Sequence, residues 1–71
     1  MDATRPRNKI REYREMLHLT QAQLAKATGI ALPTLARLDA QSSAMPSLGV
    51  ALRLARAFGV NAVDLITDTP Q

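Results

Sequence analysis

The sequence predicts an all-α protein, a compact bundle of five short helices around one core. Three observations carry that expectation. Apolar residues recur at helical spacing, most firmly at Leu48, Ala51, Leu52, Ala55 and Phe58, which follow i, i+3, i+4, i+7 and i+10. Start and stop signals bracket the helical windows, with Thr20, Ser47 and Asn61 as N-caps and Gly29 and Gly59 as left-handed stops. No window alternates with a period of two, so no strand is expected.

Residues 1–5 are polar and patternless and read as a flexible arm. Pro6 to about Leu17 is the expected first helix, with Ile10, Tyr13, Met16 and Leu17 as its apolar stripe. Arg7, Lys9, Arg11 and Arg14, with Glu12 and Glu15 between them, form a mostly basic solvent face. His18 stands where the chain must turn. The second helix, about Gln21 to Thr28, opens on a T-x-x-Q capping box of Thr20 and Gln23, with Leu19 and Leu24 as a hydrophobic staple. Leu24, Ala25 and Thr28 face inward, and the small Ala25 permits close helix approach. Gly29 supplies a tight left-handed turn.

Pro33 sits in the first turn of the third helix, about Leu32 to Ala40, where a missing N–H does no harm. Leu35 and Leu38 point inward, while Thr34, Arg37 and Gln41 share another face. Gln41 to Met45 is a loop closed by Pro46. Ser47 caps the fourth helix, about Leu48 to Phe58, on which Val50 and Leu54 form a second, smaller apolar row. Asn61 caps a last turn, Asp64 at N3 suits the helix dipole, and Leu65 and Ile66 close the underside. Residues 67–71 read as a flexible tail. The expected domain is 6–66, with the paired helices at about 20–39.

Composition narrows the chemistry. The 71 residues make one small domain with no cysteine, which excludes a disulfide framework and a thiolate metal site. Tyr13 and Phe58 are the only aromatics, too few for modules that stack bases on aromatic platforms. No run of apolar residues is long enough to span a membrane, and Met1 to Arg5 lack the apolar core of a signal peptide. A cytoplasmic protein without membrane partners is the expectation. His18 is the only histidine and has no adjacent carboxylate, so neither an enzyme nor a metal site is expected, and no cofactor. Residues 1–37 carry seven bases against three acids, net +4, whereas residues 38–71 carry net −1. A basic half beside a near-neutral half suits a polyanion-binding face, or simply a solvated basic surface.

The blocks L-T-Q-x-x-L-A-x-x-x-G-I from Leu19, T-L-A-R-L-D from Thr34, P-S-L from Pro46 and L-A-R-A-F-G-V from Leu54 occur together. In this combination the chain resembles the Cro/Xre-type, phage-repressor-like helix-turn-helix DNA-binding family over about Ile10 to Ile66. The resemblance implies a five-helix domain that dimerises on palindromic operators, and a repressor-like transcriptional regulator whose partner is double-stranded DNA. Its third helix would enter the major groove, and the start of the second would meet the phosphate backbone. Thr20 and Gln21 would then approach phosphate. Leu32, Pro33, Thr34, Ala36 and Arg37 would stand on the recognition helix, and Ser42 and Ser43 in the loop that touches the next phosphates.

Some positions depart from the family pattern. Ala31 replaces the small polar cap of the third helix, Leu32 and Ala36 replace hydrogen-bonding residues, and Gln41-Ser42-Ser43 replaces a glycine-rich basic loop. The reading face is therefore poor in donors. Leu32 offers apolar contact to a thymine methyl, or an anchor for a protein partner. The alternative function is accordingly a protein-interaction or antitoxin-like module, using Leu32 and the Val50/Leu54 row. Gln21 either serves only its helix or meets phosphate, and Arg37 either pairs near Asp39, packs over the core edge or contacts DNA. Arg5, Arg7 and Lys9 either follow the DNA backbone or form a plain tail. Val50, Leu54, Val63 and Ile66 are either a homodimer patch or overflow from the core.

Overall fold

The computed structural model describes residues 4–70, and the side chains of 6–67. The element order is β1 (Thr4–Asn8), α1 (Ile10–Met16), α2 (Gln21–Thr28), α3 (Leu32–Ala40), α4 (Leu48–Phe58), a 3₁₀ turn (Ala62–Leu65) and β2 (Ile66–Pro70). Four α-helices are present among the described residues, not five, because the last helical segment is a single 3₁₀ turn. The strand pair is the larger correction. β1 and β2 run antiparallel with Thr4 opposite Pro70 and Asn8 opposite Ile66. The ladder continues one step further, where the Lys9 N–H donates to the Leu65 carbonyl at 2.7 Å.

Local chemistry explains the strands. A residue before proline is pushed out of the helical region, and Arg5 precedes Pro6 just as Thr69 precedes Pro70. Ile66, Thr67 and Thr69 are β-branched, which suits extended backbone. The first helix therefore starts at Ile10 rather than Pro6, and the Asn8 carboxamide oxygen accepts the Ile10 N–H at 3.1 Å.

One core holds the elements together. Its five fully buried large side chains are Ile10, Leu24, Leu35, Leu54 and Leu65, one from each of the four helices and the 3₁₀ turn. Tyr13 stacks on Phe58 with ring centroids 5.4 Å apart, which joins α1 to α4. The apolar stripes differ from expectation at two places. On α1 Ile10 is buried and Tyr13 half-buried against the core, while Met16 is 71% exposed and Leu17 is also exposed, because the stripe leaves the core toward the C-terminal end of the helix. On α4 the inward set is Ala51, Leu54, Ala55 and Phe58, spaced i, i+3, i+4 and i+7, whereas Leu48 is 73% exposed and Leu52 also faces solvent. Ala51 and Ala55 flank Leu54, so α4 approaches the core most closely when that ridge turns inward. No helix among the described residues is long and apolar enough to cross a membrane.

Candidate nucleic-acid interface

The capping box predicted at the start of α2 is complete. The Thr20 hydroxyl accepts the Gln23 N–H at 3.0 Å, and the Gln23 side chain accepts the Thr20 N–H at 2.8 Å. Both helices of the motif lack an acidic residue in the first turn, so neither positive helix end is offset by its own carboxylate. Gly29 takes φ 73°, which places Ile30 in the core and turns the chain into α3. Ala31 is the N-cap of α3 and makes no side-chain cap bond, as its methyl requires.

Along α3 the faces separate cleanly. Leu35, Leu38 and Asp39 are buried at i, i+3 and i+4, while Pro33, Thr34 and Arg37 are exposed. Leu32 at its start is 44% exposed. Ala36 is half-buried and lies between the two faces. Ser42 and Ser43 follow in an exposed turn. Arg7 is also exposed, and its Nη1 reaches the Ser42 hydroxyl at 3.4 Å. Lys9 is half-buried, with its ammonium 5.6 Å from the Tyr13 ring centroid. Arg5 stands opposite Thr69 in the strand pair, and its side chain lies outside the described residues.

Polar contacts tie these pieces together in a way the sequence did not disclose. Asp39 is buried, and Arg14 grips it with both ends of its fork, Nε to Oδ1 at 2.7 Å and Nη2 to Oδ2 at 3.2 Å. Gln21 Nε2 donates to Asp39 Oδ2 at 3.2 Å, and Arg14 Nη1 donates to the Leu19 carbonyl at 2.7 Å. One carboxylate thus joins α1, the start of α2 and α3. Burial opposes ionisation of Asp39, but the hydrogen bonds from Arg14 and Gln21 and the charges of Arg14 and Arg11 outweigh it, so its carboxyl titrates below the ordinary range. The same hydrogen bond, with the Asp39 and Glu15 charges, raises Arg14 against the cost of its own burial.

Three expectations change. Arg14 is not on the solvent face but mostly enclosed with Asp39. Arg37 makes no ion pair with Asp39, whose partners are Arg14, Gln21 and Arg11. Leu54 is fully buried, so the Val50/Leu54 row is no docking surface, and Val50 and Ile66 pack half-buried against the core. Val63 of that set is 75% exposed. An acid in inward register on α3 was the signal available for the Arg14–Asp39 pair, since a buried carboxylate needs a cation.

An open groove of about 380 Å³ between α2 and α4 is lined by Ala27, Thr28, Arg53, Arg56 and Ala57, none of them predicted site residues.

A helix-turn-helix family model matches residues 10–65. The chain is 36% identical over 59 residues to an uncharacterized HTH-type transcriptional regulator of Methanocaldococcus jannaschii, covering 83% of this chain and 88% of that one. A similarly named protein of Archaeoglobus fulgidus is 37% identical over 59 residues, covering 83% of each. The fold also superposes on the crystal structure of a Bacteroides fragilis protein with TM-score 0.74 at 24% identity, over 87% of this chain and 98% of that one.

Proposed function

Since the chain belongs to the Cro/C1-type helix-turn-helix family, whose members are DNA-binding transcriptional regulators and not enzymes, we propose that it is a sequence-specific, repressor-like regulator that binds operator DNA as a dimer through α3. The observation that carries the reading is the exposed ridge of Pro33, Thr34 and Arg37 together with an α2 whose own first turn holds no acidic residue. Backbone N–H groups at such a helix start favour a phosphate. Arg37 adds a cation unpaired among the described residues, and Thr34 offers a hydroxyl and a methyl to base edges. Leu32 makes apolar contact, best with a thymine methyl. Ser42 and Ser43, with Arg7 alongside, meet the next phosphates.

Gln21 acts differently from the simplest expectation. Its amide nitrogen is committed to Asp39, so it reaches phosphate through its backbone N–H while its side chain locks α2 to α3. Both Gln21→Ala and Arg37→Ala are expected to weaken binding. Arg37→Ala should also lower the slope of log K against log salt by about 0.9 if it neutralises one phosphate. The test is fluorescence anisotropy with random duplex at low salt, followed by selection of bound DNA from a random pool. Selected half-sites should be separated by about 34 Å, one helical turn. No binding to any duplex at low salt would sink the reading and move Leu32 to a protein-contact role.

A further inference from the structure

Asn8 is a buried polar side chain, 3% exposed, that the DNA-binding reading does not use. Its amide nitrogen donates toward three carbonyl oxygens, those of Leu38 at 3.1 Å, Gln41 at 3.1 Å and Ala44 at 2.6 Å. Two N–H bonds facing three acceptors means one bond is shared. The Leu38 carbonyl is one of the last four of α3, which have no partner within the helix. The Asn8 backbone N–H donates to the Ser42 carbonyl at 2.7 Å, and neighbouring Arg7 reaches the Ser42 hydroxyl at 3.4 Å. Residues 7 and 8 therefore grip the end of α3 and its following loop at five points. Asn8 is itself held opposite Ile66 in the strand pair, and its oxygen fixes the start of α1.

We propose that Asn8 is a positioning residue for DNA binding, because its side chain sets the pose of the 41–44 loop and of Arg7 relative to α3. The inference rests on the DNA-binding reading above. The loop has no regular hydrogen bonding to hold it, and its one internal backbone bond runs from the Ala44 N–H to the Gln41 carbonyl. Without the carboxamide, the loop and the end of α3 lose their common anchor. The Ser42 and Ser43 hydroxyls and the Arg7 guanidinium then cease to be held in register with the α2 N-terminus.

Asn8→Ser separates this role from local turn formation, since a serine hydroxyl still accepts the Ile10 N–H but is too short to reach the three carbonyls. Leu54→Val, which trims the core on α4, serves as a control for general loss of stability. Anisotropy titrations with random duplex are run over a range of salt, at a temperature where circular dichroism shows each variant folded. The expected result is that Asn8→Ser binds about tenfold more weakly, with a salt slope lower by about 0.9 as Arg7 loses its phosphate, while Leu54→Val binds as the unmodified chain does. Equal binding by Asn8→Ser, or an equal loss in Leu54→Val, overturns the proposal. If Asn8→Ser does not fold, the side-chain amide resonances of Asn8 in the unmodified protein decide. They should shift on adding duplex, and their constancy overturns the proposal. Failure of the unmodified chain to bind any duplex would instead bring down the DNA-binding reading itself.

Discussion

At His18 the backbone adopts φ 57°, the one positive value at a non-glycine position among the described residues. The strain has a purpose in closing α1. The His18 N–H returns to the Glu15 carbonyl at 3.0 Å and the Leu19 N–H to the Arg14 carbonyl at 3.1 Å, the paired bonds of a Schellman closure. Glycine adopts that conformation without a Cβ penalty, so His18→Gly should raise stability by about 0.5–1 kcal/mol, read as a higher thermal midpoint. Asp39 sets a second test at the same scale. Its folded carboxyl titrates below the unfolded value near 3.9. The stability it confers is therefore complete above about pH 4 and is lost as pH falls through the folded value. Urea unfolding should show that loss, and Asp39→Asn should flatten it while costing about 2 kcal/mol at pH 7.

Among the elements, the two motif helices begin differently. α2 has a reciprocal box, whereas α3 begins at Ala31, whose backbone already holds the extended cap geometry of φ −61° and ψ 137°. Ala31→Ser should thus stabilise by about 0.5–2 kcal/mol, and Thr20→Ala should cost about as much, both measured by denaturant midpoint. Cap and stop residues are also why α2 and α4 were legible within a residue or so, while Pro33 in the first turn marked α3. Thr20, Gly29, Ser47 and Gly59 act through bonds to their immediate neighbours, which spacing alone reveals. Pro6 misled for the converse reason. Proline is as compatible with an extended edge as with a first helical turn, and only the partner strand, distant in sequence, decides between them. Leu48 and Leu52 looked inward because an apolar arc wider than the core contains more than one possible ridge.

Over the whole molecule, charge divides by use. Arg14 is enclosed with Asp39, an acid of the second half, so the basic excess of the first half is smaller at the surface than the count suggests. Residues exposed by helical spacing, such as Thr34 and Arg37, were readable as site candidates. The buried fasteners behind them were less so: the inward register of Asp39 calls for a cation, but its partner Arg14 and the carbonyl that Asn8 meets at Ala44 each lie at least 25 residues away. The strand pair carries a kinetic consequence. Pairing Asn8 with Ile66 closes a loop of 58 residues, an entropic cost of about 3–4 kcal/mol that no local contact offsets. The helices must collapse first and the ribbon seal afterwards, so stopped-flow refolding should show Thr67→Gly quickening unfolding while leaving the forward rate nearly untouched.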